Sequence, residues 1–138
     1  MTKEKACKLL KLILVLGGAF MLLAAVAVVM PRSWISYCHE RLTLGKFPDQ
    51  PVAEYLARLS SALYTILGGL ILILARDVIK YAVIISYVCI AIAICAMAIS
   101  LMAWVGHMPW WWALGDMASA VPFAGATLFL QWKVSRLN

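Results

Sequence analysis

The chain has 138 residues, of which 65% are hydrophobic and 13% are charged, and its mean hydropathy is +0.95. This composition lies well outside the range of soluble globular proteins and indicates a membrane protein. The net charge of +6 does not indicate a nucleic-acid-binding protein, because the twelve Lys and Arg residues are not gathered into a basic patch.

Four long apolar segments predict four membrane-spanning helices, at residues 12–30, 55–75, 81–105 and 112–132. Each is long enough, because a hydrocarbon core of about 30 Å needs roughly 20 helical residues. The outer loop of residues 31–53 is too short to fold as a soluble domain. Within it, Trp34–Leu44 has the apolar spacing of a short amphipathic helix. We therefore predict an all-α fold, a four-transmembrane-helix bundle that forms a single integral membrane domain.

The first apolar segment has a second interpretation, as a cleaved signal peptide. A basic start precedes the apolar run, and Ala25-Val26-Ala27 resembles the small residues of a cleavage site. The run from Leu9 to Met30 is longer than the usual signal core of about 7–15 residues, and the triplet lies inside it. We therefore expect a retained span, although cleavage would leave three spans.

The positions of the basic residues predict which way the spans run. Eight of them lie at the span ends on one side of the predicted bilayer: Lys3, Lys5, Lys8, Lys11, Arg76, Lys80, Lys133 and Arg136. On the other side are Arg32, Arg41 and Lys46, and Arg58 lies within the second span. The positive-inside rule then places both termini in the cytoplasm, and we expect a multi-pass protein of the inner membrane.

Small residues form stripes along three of the predicted spans. The third span carries Ala82, Ser86, Cys89, Ala93, Ala96, Ser100 and Ala103. The second carries Ala57, Ser61, Thr65 and Gly69, and the fourth Ala113, Ala120, Ala124 and Thr127. Because lipid is as apolar as Leu, spans associate through close packing, which small side chains permit. We expect a compact bundle with the third span near its centre.

Ionisable residues near the outer ends of two spans form the candidate site. Glu54 and Arg58 are four residues apart and share a helix face, and Asp116 lies at a similar depth in the fourth span. We predict a polar cluster of these three residues, with Tyr64 and His107 near it. The cluster is either a binding site for a lipid headgroup or small polar ligand, or a structural ion pair that fixes helix register.

The sequence indicates no catalytic residues and no metal site. His39 and His107 both lie in predicted outer loops, so they do not form the helix-borne pair that would ligate haem. The four cysteines include no Cys-x-x-Cys pair, and only Cys38 reaches the oxidising side. Neither a phosphate-binding loop nor a nucleophile elbow is present. These observations favour a non-enzymatic protein without a cofactor.

One pattern resembles a known family. It consists of Arg58-x-x-Ser61-x-x-Tyr64-x-x-x-Gly68-Gly69, followed by Ala75-Arg76-Asp77. These residues resemble the DoxX-like group of small bacterial four-helix membrane proteins, over about Tyr55–Leu130. The resemblance implies the four-helix architecture. Because some members are linked to quinone-dependent sulfur oxidation, it also implies quinone as a candidate cofactor, and we do not carry over a catalytic role.

Three functional hypotheses follow from the sequence. The first is an accessory or structural subunit that packs through its small-residue faces, in a homo-oligomer or a larger membrane complex. The second is a redox subunit or a quinone- or lipid-binding protein that uses Arg58, Asp116 and Trp110–Trp112. The third is a small transporter, disfavoured because the acidic residue that small multidrug transporters carry in their first span is missing from residues 12–30.

Overall fold

The computed structural model describes residues 2–136, which form six α-helices and no strand. The helices are α1 (Lys3–Leu22), α2 (Ala25–Val29), α3 (Arg32–Arg41), α4 (Pro51–Leu74), α5 (Ala82–Val105) and α6 (Trp110–Arg136). Four segments are long and apolar enough to cross a membrane: Lys3–Val29, Pro51–Leu74, Ala82–Val105 and Trp110–Arg136. The predicted all-α fold with four long apolar helices is confirmed, and the protein is a multi-pass membrane protein.

Several helix boundaries differ from the predicted ones because hydropathy locates only the lipid-facing part of a helix. The first long helix begins at Lys3 rather than at residue 12, and α6 continues to Arg136 rather than ending at residue 132. Polar and basic residues extend these helices beyond the apolar core without breaking the backbone hydrogen bonds. Much of the predicted outer loop is helical, since it contains α3 and the start of α4. The expected short helix is thus present at Arg32–Arg41.

The first apolar segment is interrupted between α1 and α2. The backbone N–H of Leu23 donates to the carbonyl of Phe20 at 3.1 Å, and the N–H of Ala24 donates to Met21 at 3.1 Å. Bonds to the third preceding residue are typical of a tighter 3₁₀ turn. The segment then ends at Met30, which is extended at φ −63° and ψ 135°. The following Pro31 accounts for this end, because proline disfavours helical backbone in the residue before it.

The chain divides into two compact units, one formed by the residues up to Gly17 and from Ile71 onward, and the other by Gly18–Leu70. The first unit contains the largest fully buried side chains: Leu10, Leu14, Ile71, Ile85, Cys89 and Thr127. Its core is therefore built from α1, the end of α4, α5 and α6. All the small residues predicted to line one face of α5 are buried or half-buried, which confirms that face as a packing surface. The central position expected for the third span stays a prediction.

Polar side chains join α5 to α6 within the first unit. Ser86 Oγ donates to Gln131 Oε1 at 2.8 Å, and Gln131 Nε2 donates to the carbonyl of Ala82 at 2.9 Å. Further along α5, the buried Ser100 hydroxyl donates to the carbonyl of Ala113 at 3.0 Å. In lipid such interhelical hydrogen bonds supplement van der Waals packing, because no water competes for the polar groups.

In the second unit α4 packs closely against α1 at Gly68. A methyl group added there would lie 2.7 Å from the Gly18 carbonyl oxygen and 2.9 Å from the Leu22 backbone nitrogen. The same addition at Gly69 meets no atom within 4 Å. The predicted stripe on α4 ended at Gly69, which is half-buried but does not make this contact. The contact uses the neighbouring glycine instead.

Candidate functional site

Arg58 is the most highly connected polar side chain of the second unit. Its Nε and Nη2 atoms donate to Glu54 Oε1 at 3.1 and 2.7 Å. The two side chains are one helical turn apart on α4, and both are about three-quarters shielded from solvent, with 31% and 26% exposed. Glu54 and Arg58 therefore share one face of α4, as predicted, and form an ion pair there, whereas an ion pair of Arg58 with Asp116 stays a prediction.

The same guanidinium reaches the end of the first apolar segment. Nη2 donates to the carbonyl of Met30 at 2.9 Å, and Nη1 donates to the carbonyl of Val28, thirty residues away in sequence. The last carbonyls of a helix lack intrahelical donors, and α2 ends at Val29 with Met30 extended. Arg58 thus supplies the donors that the end of α2 requires. These carbonyl partners were not predicted from sequence, because they depend on the tertiary approach of α4 to residues 28–30.

Tyr64, the third predicted member on α4, occupies a different face from Arg58. The two are six residues apart, and at about 100° per residue they point in directions roughly 120° apart around the helix. The Tyr64 side chain is 51% exposed. Its ring is therefore available to lipid or to a partner surface.

His107 terminates α5. It adopts a left-handed conformation at φ 55°, while the N–H of Met108 donates to the carbonyl of Ala103 at 2.9 Å. This pattern is a Schellman motif, in which a residue with positive φ ends the helix and satisfies its last carbonyls. The His107 side chain is exposed. The backbone at this position thus has a defined structural role without any involvement of the imidazole.

Asp116 lies in the second turn of α6 and is half-buried. Its backbone carbonyl accepts a hydrogen bond from Ser119 Oγ at 3.1 Å, whereas its carboxylate makes no hydrogen bond or ion pair with the described residues of its own unit. Asp116 and His107 belong to the first unit, and Glu54, Arg58 and Tyr64 to the second. The joining of all five into one site stays a prediction.

The segment between α3 and α4 holds its polar groups in internal contacts. Arg32 Nη2 donates to Asp49 Oδ1 at 2.9 Å and to the carbonyl of Pro48 at 3.3 Å. His39 Nδ1 donates to the Gly45 carbonyl at 2.9 Å, and its ring meets Phe47 edge to face at 5.4 Å. The His39 side chain therefore stabilises this loop through its contacts with Gly45 and Phe47.

The titratable side chains of residues 2–136 form no group of three or more that could hold a metal ion. Cys7, Cys38, Cys89 and Cys95 are all free thiols. Cys89 is buried in the α5 core and Cys38 is exposed on α3. Cys7 lies on α1, Cys38 on α3, and Cys89 and Cys95 on α5.

A second polar region, not predicted from sequence, lies where α5 begins and α6 ends. Gln131 bonds to two groups of α5, and an open groove of about 320 Å³ adjoins it. By hydropathy alone, Gln131 is a polar residue near the end of an apolar segment. The signal that it faces α5 is its position four residues after Thr127, on the small-residue stripe of the fourth span.

Comparison with protein families, with curated proteins and with solved structures found no match for this chain. The resemblance to the DoxX-like group therefore remains an expectation from the sequence.

Proposed function

We propose that the protein is a non-enzymatic accessory or structural subunit of a larger assembly in a bacterial inner membrane. The observation that carries the proposal is the use of Arg58. Its described hydrogen bonds go to Glu54 and to the carbonyls of Val28 and Met30, which is how a structural cap is used. A ligand-binding arginine would instead keep N–H groups directed toward an open cavity.

The polar groups along the remaining spans support the same proposal. The hydroxyls of Ser61 and Thr65 donate to the carbonyls one turn earlier in α4, at 2.9 and 2.8 Å. Ser86 and Gln131 bond to each other across α5 and α6. These contacts satisfy polar groups within the protein, as expected of side chains that help to pack helices.

A partner surface is the remaining requirement, and the membrane-facing side chains supply its chemistry. Most side chains of the four spans are exposed or only half-buried within the chain. Small exposed residues on α6, among them Ala118 and Gly125, permit close approach by another helix. A second copy or a larger membrane protein would cover part of this surface.

The test is cross-linking in intact membranes of the native host, followed by purification in a mild detergent and measurement of the complex mass. We expect a complex of fixed stoichiometry that contains this chain and at least one other membrane subunit or a second copy. A purified monomer that carries an extractable quinone would contradict the proposal. If the Asp116→Asn variant still forms the complex and the Gly125→Trp variant does not, this result would further support assembly through the α6 surface.

A quinone- or lipid-binding redox subunit is the second candidate. It is favoured by one observation, the half-buried Asp116 carboxylate that lacks a partner among the described residues of its unit. In that case Asp116→Asn would reduce the amount of lipid-soluble cofactor recovered with the protein. An unchanged organic extract from this variant would exclude the redox hypothesis.

A further inference from the structure

The last turns of α6 carry a row of paired cations and aromatic rings. Lys133 Nζ lies 4.9 Å from the centroid of Phe129, and Arg136 Cζ lies 4.5 Å from the centroid of Trp132. The two rings are stacked, 6.1 Å apart and inclined by 28°. Both rings are about half exposed, so this face of α6 presents aromatic surface and positive charge side by side.

The beginning of α5 adds a third cation to the same unit. Lys80 Nζ lies 5.3 Å from the Tyr81 ring centroid, directly before the first helical turn. The nearest acidic residue in sequence is Asp77, whose Oδ1 atom accepts hydrogen bonds from the backbone N–H groups of Ile79 and Lys80, at 3.2 and 2.9 Å. Within residues 2–136, Lys80, Lys133 and Arg136 form no ion pair with an acidic side chain. Their charge is therefore available to an anion.

The groove between α5 and α6 is lined in part by Trp132, the ring against which Arg136 packs. Val83 and Leu128 provide apolar lining, and Gln131, Trp132 and Ser135 provide a polar and aromatic edge. The groove has a volume of about 320 Å³ and is open to the outside of the helix pair. This volume is about ten times the roughly 30 Å³ that one water occupies in the liquid, so the groove has room for a segment of hydrocarbon chain.

We propose that this groove binds one anionic phospholipid of the surrounding membrane. An acyl chain lies along Val83 and Leu128, and the phosphate is bound by Lys133 and Arg136. Tryptophan rings favour the headgroup layer, so Trp132 places these cations at the depth of lipid phosphates. Basic pockets between membrane helices recognise anionic headgroups, and a guanidinium provides two parallel donors for phosphate oxygens. The apolar part of the groove selects a lipid over free phosphate.

The headgroup is tested by native mass spectrometry of the purified full chain, titrated with phosphatidylglycerol and with phosphatidylcholine of the same acyl chains. We expect one phosphatidylglycerol to bind and phosphatidylcholine to bind more weakly. Lys133→Gln with Arg136→Gln should weaken phosphatidylglycerol binding about thirtyfold, from the typical contribution of two basic residues near an anionic headgroup. The matched control, Arg41→Gln with Lys46→Gln, removes the same charge from another part of the chain and should bind like the wild type.

Further variants separate a specific site from general attraction or misfolding. Val83→Trp fills the groove and should reduce binding at least fivefold, whereas Val105→Trp, at a similarly exposed position of α5, should not. Lys133→Arg with Arg136→Lys keeps both charges and should retain binding within threefold. The proposal is overturned by equal losses in the two charge-removing pairs, by equal affinity for the two lipids, or by normal binding to Val83→Trp.

Discussion

Replacement of Gly68 by alanine should destabilise the protein, whereas the same change at Gly69 should not. The new methyl group at Gly68 would lie 2.7 Å from the Gly18 carbonyl oxygen, and ordinary van der Waals contact begins at 3.4 Å. To relieve this clash the helix backbone must move by about 0.7 Å, because backbone atoms cannot rotate away as a side chain can. At Gly69 the added group meets no atom within 4 Å.

The magnitude follows from the difference between the two variants. Overpacking of a close contact costs about 1–3 kcal/mol, and the helix propensity gained from Gly to Ala is about 1 kcal/mol in water. Both variants gain the propensity term, so it cancels in the comparison. We expect Gly68→Ala to be about 1–3 kcal/mol less stable than Gly69→Ala.

The assay is equilibrium unfolding of both variants and the wild type in the same mixed micelles, with an increasing mole fraction of a denaturing detergent. Helix content by circular dichroism before unfolding provides the control for folding. We expect Gly69→Ala to unfold at or above the wild-type midpoint and Gly68→Ala to unfold clearly below it. Coincident curves for the two variants, or a larger loss at Gly69, would refute the proposed contact between α4 and α1.

Three further predictions concern single side chains. Thr43→Gly should raise stability by about 1 kcal/mol in the same unfolding assay, because a β-branched residue is strained at φ 54°, and an unchanged midpoint would contradict this. Gln131→Leu and Ser86→Ala should show a coupling energy of about 0.6 kcal/mol in a double-mutant cycle, whereas strict additivity would mean that their 2.8 Å hydrogen bond has no net effect. Asp116→Asn should change the free energy of unfolding by less than about 0.5 kcal/mol, because the described residues of its unit provide no partner for the carboxylate, and a loss above about 2 kcal/mol would indicate an ion pair.

Hydropathy was sufficient to predict the all-α architecture and the number of long apolar helices. It did not locate the helix ends, since polar residues such as Lys3 and Arg136 continue a helix at little cost once it has formed. It also did not choose between Gly68 and Gly69, because a shift of one residue rotates the packing face by about 100°. That choice is made by the backbone approach of another helix, which no local pattern contains.

The candidate site shows the same division between local and tertiary information. The shared helix face of Glu54 and Arg58 followed from their spacing of four residues. The bonds from Arg58 to Val28 and Met30 did not, because their partners are backbone carbonyls that any residue carries. The role of His107 was missed for a related reason: its backbone conformation, rather than its imidazole, explains its position.

The central claim is that Arg58 is a structural cap for the first apolar segment. The most direct measurement is the free energy of unfolding of lipid-exchanged, cofactor-free protein carrying Arg58→Gln, compared with Arg32→Gln as a control. Arg32 also forms an ion pair, with Asp49 at 2.9 Å, but its partner is fully exposed, so its loss should have an effect below about 1 kcal/mol. Loss of Arg58 removes charge-assisted bonds to partly buried groups and should cost about 2–3 kcal/mol. The account predicts this difference in the absence of any ligand, and equal stability of the two variants would contradict it.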